Sequence, residues 1–291
     1  MIKKKLIKNA RKIDQFLIKF LKKQQSSLLV KPMKYGVISG GKKIRSTIIF
    51  DAGKIFNISE KKLINICAAV ECIHSYSLIH DDLPCMDNDT IRRGKPATHI
   101  KFGEASAVLA GNSLLTLAFE IIADKKYLLS PKAKNEIIKF LSSCSGHTGI
   151  AGGQELDLKF ENKKKGINQI IDMQKKKTGK LFNFCLYDNR EITKKNAKDK
   201  LFLGNLGEEI GLLFQLADDF LDFRGLKKLL GKPVKKDHKK GKSTLLNLMG
   251  EKKAYLFANN LKKKILRKLE KHGKNAEELI STIEFILERK F

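Results

Sequence analysis

LLFQLADDFLDF, residues 212–223, is apolar on nearly every face of a helix and yet carries three carboxylates, Asp218, Asp219 and Asp222. A dozen residues of mostly Leu, Phe and Ala, with no Gly or Pro, specify a buried helix. Carboxylates in such surroundings are rarely mere solvated decoration. Asp218 and Asp222 are four residues apart and share a face, about one turn (5.4 Å) from each other. Gln215 lies three residues earlier on the same side. An acidic helix end or an N-cap is the bland alternative, and the apolar flanks on both sides argue against it. A hard divalent cation relieves the repulsion, and Mg2+ is usually shared between one or two carboxylates and substrate phosphates.

A second acidic cluster lies upstream, in ECIHSYSLIHDDLPCMDNDTIRRGKPATH (71–99). An apolar helix runs into Asp81 and Asp82, Pro84 breaks the helical spacing, and Asp87 and Asp89 follow on a turn. Arg92-Arg93-Gly94-Lys95-Pro96 comes directly after. Acid followed by base suits a metal-bound diphosphate, with carboxylates on the cation and arginines gripping oxygens bidentately. Surface salt bridges of little weight are the alternative. His74, seven residues before Asp81 and two turns away on the same helix face, is a candidate phosphate donor. Two such clusters point to facing walls of one cavity that grips a diphosphate through metal. GGKKIR (40–45) places paired glycines and basic residues at a helix start, where free N–H groups attract anions. Alone this signal is weak, as are KTGK (177–180) and LGKP with GKST (230–244), and none has nucleotide P-loop spacing.

The 291 residues contain no Ser/Gly/Pro-rich linker, no internal repeat and no shift in composition, which predicts one domain over 1–291. Trp is absent, aromatics are sparse, and the five prolines fall where helices break, so the expected class is all-α. Helices are predicted near 3–24, 41–56, 60–82, 104–123, 131–145, 167–190, 194–224, 251–271 and 275–289. Gly146, Gly149, Gly152 and Gly153 read as a break, and Gly225 to Thr244 as a long loop of the kind that serves as a lid. The basic, amphipathic Met1–Leu21 reads as the first helix of the bundle. Asp14 and the shortage of Ser and Arg argue against a presequence.

The formal charge of +28 raises nucleic-acid binding, but only eight basic residues are Arg and 51 are Lys, scattered along the chain. No base-reading module accompanies them, so no nucleic-acid partner is expected; a positive field still helps attract phosphorylated substrates. Cys67, Cys72, Cys85, Cys144 and Cys185 contain no Cys-x-x-Cys pair, which excludes a zinc or disulfide framework and fits a reduced, cytoplasmic protein. No apolar run reaches the eighteen or so residues that cross a membrane, so no membrane insertion is expected.

Together and in this order, GGKKIR (40–45), residues 71–99, FGEASAVLAG (102–111), GGQELDL (152–158), KKTGKLF (176–182), FQLADDFLD (214–222) and LGKP…GKST (230–244) resemble the trans-isoprenyl diphosphate synthases. The similarity is greatest to the bacterial-type farnesyl diphosphate synthases (geranyltranstransferases). The resemblance implies a bundle or barrel of about ten helices around a central cavity, a homodimer, and a prenyltransferase that joins isopentenyl diphosphate to an allylic diphosphate. It implies three Mg2+ ions per site, with Mn2+ as a substitute. Asp81, Asp82 and Asp87 would hold metal on the allylic diphosphate, and Asp218 would ligate a further ion with Asp222 behind it. Arg92 and Lys232 would grip the allylic diphosphate. Lys42, Arg45, His74 and Arg93 would bind that of isopentenyl diphosphate. Lys177, Thr178 and Gln215 would contact the allylic substrate near its reacting carbon, with Asp81, Asp82 and Asp218 completing the catalytic set.

In such enzymes the residues four and five before the first aspartate limit chain growth. Here these are Ser77 and Tyr76, and a bulky Tyr76 implies a fifteen-carbon product. Geranyl and geranylgeranyl diphosphate synthases of the same family are the alternatives. A terpene cyclase usually mixes Asn, Ser or Thr, and Glu in its second metal site, and a non-catalytic subunit typically loses one aspartate cluster; this chain keeps both. Ser46, Thr90, Asn112 and Leu245-Leu246 depart from the family pattern, and none is a proposed ligand.

Overall fold

Leu-, Ile- and Ala-rich segments form helix after helix; Pro32, expected at a helix break, instead lies in the first turn of a short helix, where its missing N–H is tolerated. The computed structural model describes residues 2–24, 27–38, 40–193, 197–230 and 244–288. Its helices are α1 (Ile2–Lys22), α2 (Val30–Val37), α3 (Ile44–Ile55), α4 (Glu60–Asp81), α5 (Thr98–Phe102), α6 (Glu104–Ala123), α7 (Pro131–Ser145), α8 (Ile150–Phe160) and α9 (Ile167–Gln174). A π turn (Lys175–Gly179) leads into α10 (Lys180–Thr193), followed by α11 (Ala197–Leu230), α12 (Leu245–Met249), α13 (Glu251–Glu270) and α14 (Glu277–Glu288). Among the described residues the only sheet is a hairpin of β1 (Ile91–Arg92) and β2 (Lys95–Pro96). The expected all-α class is what the chain adopts.

The helices gather into two compact units, one of Met1–Phe140 with Asp188–Lys194 and one of Leu141–Tyr187 with Lys195–Phe291. In the first, α4 is apolar nearly all round and packs against α1, α2, α3 and α6. Helix α1 buries Leu6, Ile13, Leu17, Phe20 and Leu21 at helical spacing, and full burial of such side chains is worth about 1.5–3 kcal/mol each. Its polar groups are tied down too: Lys5 Nζ donates to Asp51 (2.9 Å), and Lys43 Nζ lies 3.2 Å from Asp14. Asp14 therefore serves the packing of the first helix. In the second unit α11 packs against α9, α12, α13, α14 and the π turn.

Local signals explain the helix boundaries. Ser130 Oγ accepts from Ala133 N (3.2 Å) ahead of Pro131, the first residue of α7, and Thr244 Oγ1 caps α12 through Asn247 N (3.1 Å). Gly103 (φ +86°) and Gly250 (φ +79°) each end a five-residue helix in a left-handed conformation. Each is followed by a twenty-residue helix that opens on a glutamate.

Several sequence expectations need correction. The helix placed at 41–56 begins at Ile44, because Gly40 (φ +93°), Gly41 (φ +96°) and Lys43 (φ +42°) all take left-handed backbone that a helix cannot use. The glycines read as a break include Gly152 and Gly153, which lie inside α8. A Cβ on Gly153 would sit 2.2 Å from Lys177 N, so glycine there permits close approach of two backbones. The segment 167–190 is α9, a π turn and α10, and helix α11 continues to Leu230, so residues 225–230 are helical. The rest of that expected loop, residues 231–243 with Lys232, lies outside the described residues. Finally, α4 and α6 are long and apolar enough to cross a membrane by length and composition, although charges interrupt both runs. Most of that α4 segment is buried inside its unit, and less than half of that of α6.

Candidate active site

In the first unit, α4 ends at Asp81, and the chain folds back at once because Pro84 cannot extend the helix. Asp87 N donates to Asp81 O (2.8 Å) and Asp89 N to Asp82 O (3.2 Å), which returns Asp87 and Asp89 to the end of α4. Asp82 is buried, and Arg92 Nε donates to its Oδ1 (2.9 Å) and Oδ2 (3.2 Å) while Arg92 Nη2 also meets Oδ1. Burial pushes the Asp82 carboxyl up; Arg92 opposes that push, and two N–H groups on one carboxylate mark an ion pair. Asp89 lies 3.3 Å from the same guanidinium.

The hairpin explains how Arg92 gets there. Arg93 (φ +55°) and Gly94 (φ +73°) are its two turn residues, and positive φ at both is the type I′ geometry that a two-residue loop favours. Arg93 Nη1 then donates to Gly40 O (2.7 Å), and a Cβ on Gly41 would sit 2.7 Å from its Cζ. The paired glycines thus let the basic 40–45 loop meet the second arginine. His74 registers the outcome: burial first, then the charges of Arg45, Arg93, Lys43 and Arg92, hold its imidazole well below its usual pKa and so neutral at pH 7. Lys42 is exposed just ahead of α3, and Arg45 is half-buried in its first turn. Sequence reasoning passed over Lys43, which is buried and donates to Val37 O (3.0 Å).

Tyr76 is buried one turn before His80, with their rings edge to face. Burial, then Asp81, pushes its hydroxyl up to about 12. Ser77 Oγ donates back to His74 O (2.9 Å).

In the second unit the π turn carries Lys177 and Thr178, in keeping with the frequent placement of such turns at functional sites. Gly153, Gly179 and Gly211 admit it between α8 and α11: a Cβ on Gly211 would lie 2.6 Å from Gly179 Cα. Lys177 Nζ donates to Asp157 Oδ2 (2.7 Å). Thr178 Oγ1 donates to Gln215 Oε1 (3.1 Å), and Gln215 Nε2 donates to Asp219 Oδ1 (3.1 Å), a relay that ends on a carboxylate. Thus Gln215, expected to side with Asp218, pairs with Asp219, four residues on. Burial above all, with the charges of Asp218 and Asp222, pushes the Asp219 carboxyl up to about 7 against the Gln215 and Gln174 hydrogen bonds. Asp218 is half-buried and Asp222 exposed.

Sequence reasoning gave Asp157 no role and read Asp219 only as one carboxylate of the acidic cluster on α11. The signal for Asp219 was available, since Gln215 and Asp219 stand at the same spacing as Asp218 and Asp222.

The donor chemistry suits a hard cation. The α11 carboxylates crowd together, and Asp219 Oδ2 is buried without a hydrogen-bond partner. Among the described residues no three His, Cys, Asp or Glu side chains form a ready-made cage. Mg2+ takes few protein ligands and draws the rest from water and phosphate.

The polyprenyl synthetase profile matches residues 26–284. The farnesyl diphosphate synthase of Escherichia coli K12 is 38% identical over 274 residues, 91% of this chain and 90% of that protein. Among solved structures, an FPP/GFPP synthase from Zymomonas mobilis superimposes with a TM-score of 0.88 at 36% identity, covering 98% of each chain. A geranyltransferase from Helicobacter pylori, complexed with magnesium and isoprenyl diphosphate, does so with a TM-score of 0.80 at 29% identity, covering 99% of this chain and 96% of that one. The chain belongs to the polyprenyl synthetase family.

Proposed function

We propose that this protein is a farnesyl diphosphate synthase: it joins isopentenyl diphosphate head to tail to dimethylallyl and then geranyl diphosphate, releasing pyrophosphate. The observation that carries this reading is the juxtaposition in the first unit of Asp81, Asp82 and Asp87 with the cations that surround His74. One substrate diphosphate needs carboxylate-bound metal and the other needs a cationic anion site, and these residues offer both. The family profile spans both compact units, which supports residues 1–291 acting as one catalytic domain.

Asp81, Asp82 and Asp87 are the residues to hold Mg2+ on the allylic diphosphate, and Asp218 is the further ligand, for three ions in all. When bound, Mg2+ supplies Lewis-acid neutralisation of the charge that builds on the departing diphosphate. Arg92, with Lys232, grips the same diphosphate through directed N–H groups. Asp82 holds the Arg92 guanidinium charged and oriented for that contact.

As the allylic carbon–oxygen bond breaks, positive charge develops on the hydrocarbon. The relay from Thr178 through Gln215 to Asp219 points each donor toward the carboxylate. This leaves the Thr178 oxygen lone pairs, with the Lys177 carbonyl, as the negative end of a polarised chain. Lys42, Arg45, His74 and Arg93 hold isopentenyl diphosphate so that its alkene attacks at short range. Neutral His74 contributes an N–H donor. The alkene itself is the nucleophile, and the proton lost from the adduct goes to pyrophosphate, so neither a side-chain nucleophile nor a side-chain base is required.

The partner is a second copy of the chain. Helix α6 has no Lys or Arg in twenty residues of a chain with 59 of them, and it exposes Val108 and Leu109. A helix without one basic residue, exposing Val108 and Leu109 between Glu104 and Glu120, suits a two-fold interface in so basic a protein. Sedimentation should give twice the 32.9 kDa monomer mass. The five cysteines are all free thiols, which suits the reduced cytoplasm.

The direct test of the metal requirement is turnover with isopentenyl and geranyl diphosphate. Activity should vanish with EDTA and return with Mg2+; turnover that persists after complete metal removal would refute the assignment of the aspartates.

A further inference from the structure

We propose that His80 is a positioning residue that sets product length through Tyr76. This rests on the reading of Tyr76 as the plug that stops chain growth. None of the bond-making or bond-breaking steps uses His80, yet α6 is shaped around it. His80 Nε2 lies 3.1 Å from Val108 O, and a carbonyl only accepts, so Nε2 carries the proton. Beside it stands Gly111, where a Cβ would be 2.1 Å from His80 Nε2 and 2.4 Å from Cδ2. The imidazole therefore lies against bare helix backbone, a seat that any larger residue would close.

Tyr76 and His80 are four residues apart on α4, so their rings meet on one face. The centroids are 5.8 Å apart with the planes at 79°, the edge-to-face arrangement that aromatic pairs prefer. His80 sits one turn nearer the aspartates than Tyr76. The Tyr76 ring cannot swing toward Asp81 without displacing an imidazole that α6 holds by a hydrogen bond and by close contact. A plug held on that side stays where it is; a plug that can swing stops being a plug part of the time. Loss of one edge-to-face contact changes such a population about two- to tenfold.

The test is product-length analysis with Mg2+, labelled isopentenyl diphosphate and geranyl diphosphate, alongside kcat, KM and thermal melting, for Tyr76→Ala, His80→Ala, His80→Phe and Gly111→Ala. The ratio of twenty- to fifteen-carbon product should rise about two- to tenfold in His80→Ala. It should rise in the same direction in Gly111→Ala, which keeps both side chains and only unseats the imidazole. His80→Phe, which retains a ring but no donor, should fall between wild type and His80→Ala. A merely structural histidine would lower melting temperature and total turnover without altering the ratio. If Tyr76→Ala lengthens products while His80→Ala and Gly111→Ala leave the ratio at the wild-type value, the inference is overturned and the plug stands. If Tyr76→Ala itself changes nothing, the plug reading fails and takes this inference with it. Should His80→Ala not fold, an unchanged ratio in Gly111→Ala is sufficient to overturn it.

Discussion

Asp218→Asn should lower kcat about 10²–10³-fold while leaving the fold intact. The size follows from weakening the hold on a Mg2+ ion that would offset charge developing on the departing diphosphate; losing one such preorganised electrostatic contribution costs about 2.7–4 kcal/mol in other enzymes. The substitution keeps the shape of the side chain and removes only its charge. That charge is part of what pushes the Asp219 carboxyl up, so its loss relieves repulsion within the α11 cluster. Melting temperature should therefore hold or rise as activity falls. Steady-state rates together with circular-dichroism melts separate the two effects. A fall in both by comparable measure would mean that Asp218 holds the helix and does not serve the reaction.

Gly153→Ala should reduce activity about hundredfold from a position whose side chain contacts no substrate. Alanine favours α8 by about 1 kcal/mol over glycine, so local propensity predicts a gain. The added Cβ, however, falls 2.2 Å from Lys177 N and 2.4 Å from Lys177 Cα. Both are backbone atoms, so no rotamer change relieves the clash, and α8 and the π turn must separate. Overpacking of this kind costs about 1–3 kcal/mol, which offsets or exceeds the propensity gain. The displacement moves Lys177 and Thr178, and misplacement by about 1 Å can cost about 10²-fold in rate. Melting by heat together with kcat/KM for geranyl diphosphate checks this; a stabilised, fully active variant would show that the π turn tolerates movement.

The long helices were legible because a helix of twenty residues repeats its apolar pattern often enough to be read. Both α4 and α6 fall within a residue of the sequence expectation, and α1 shows Leu6, Ile13, Leu17 and Leu21 on one buried face. What escaped was short or set by tertiary contact. Helices α2, α5 and α12 have eight, five and five residues, and the strands have two each, too few for periodicity to register. Helix α8 was hidden by Gly152 and Gly153, whose value lies in a neighbouring backbone that sequence spacing does not reveal. The π turn was hidden because a 3.6-residue wheel treats 167–190 as one regular helix.

The site was legible by residue type more than by partner. Acidic and basic residues were identified by position, but the pairing of Arg92 with Asp82 depends on a hairpin that the type I′ turn at Arg93-Gly94 creates. Likewise Asp219 reads as one more acid in DDFLD until burial and the hydrogen bond from Gln215 distinguish it.

The most direct measurement is the chain length of the product formed from isopentenyl diphosphate and geranyl diphosphate by the purified protein in Mg2+. The expected product is the fifteen-carbon diphosphate, with pyrophosphate released in equal amount. A ten- or twenty-carbon product would keep the prenyl transfer and discard Tyr76 as the floor of the cavity. No condensation by folded, Mg2+-saturated protein would contradict the account.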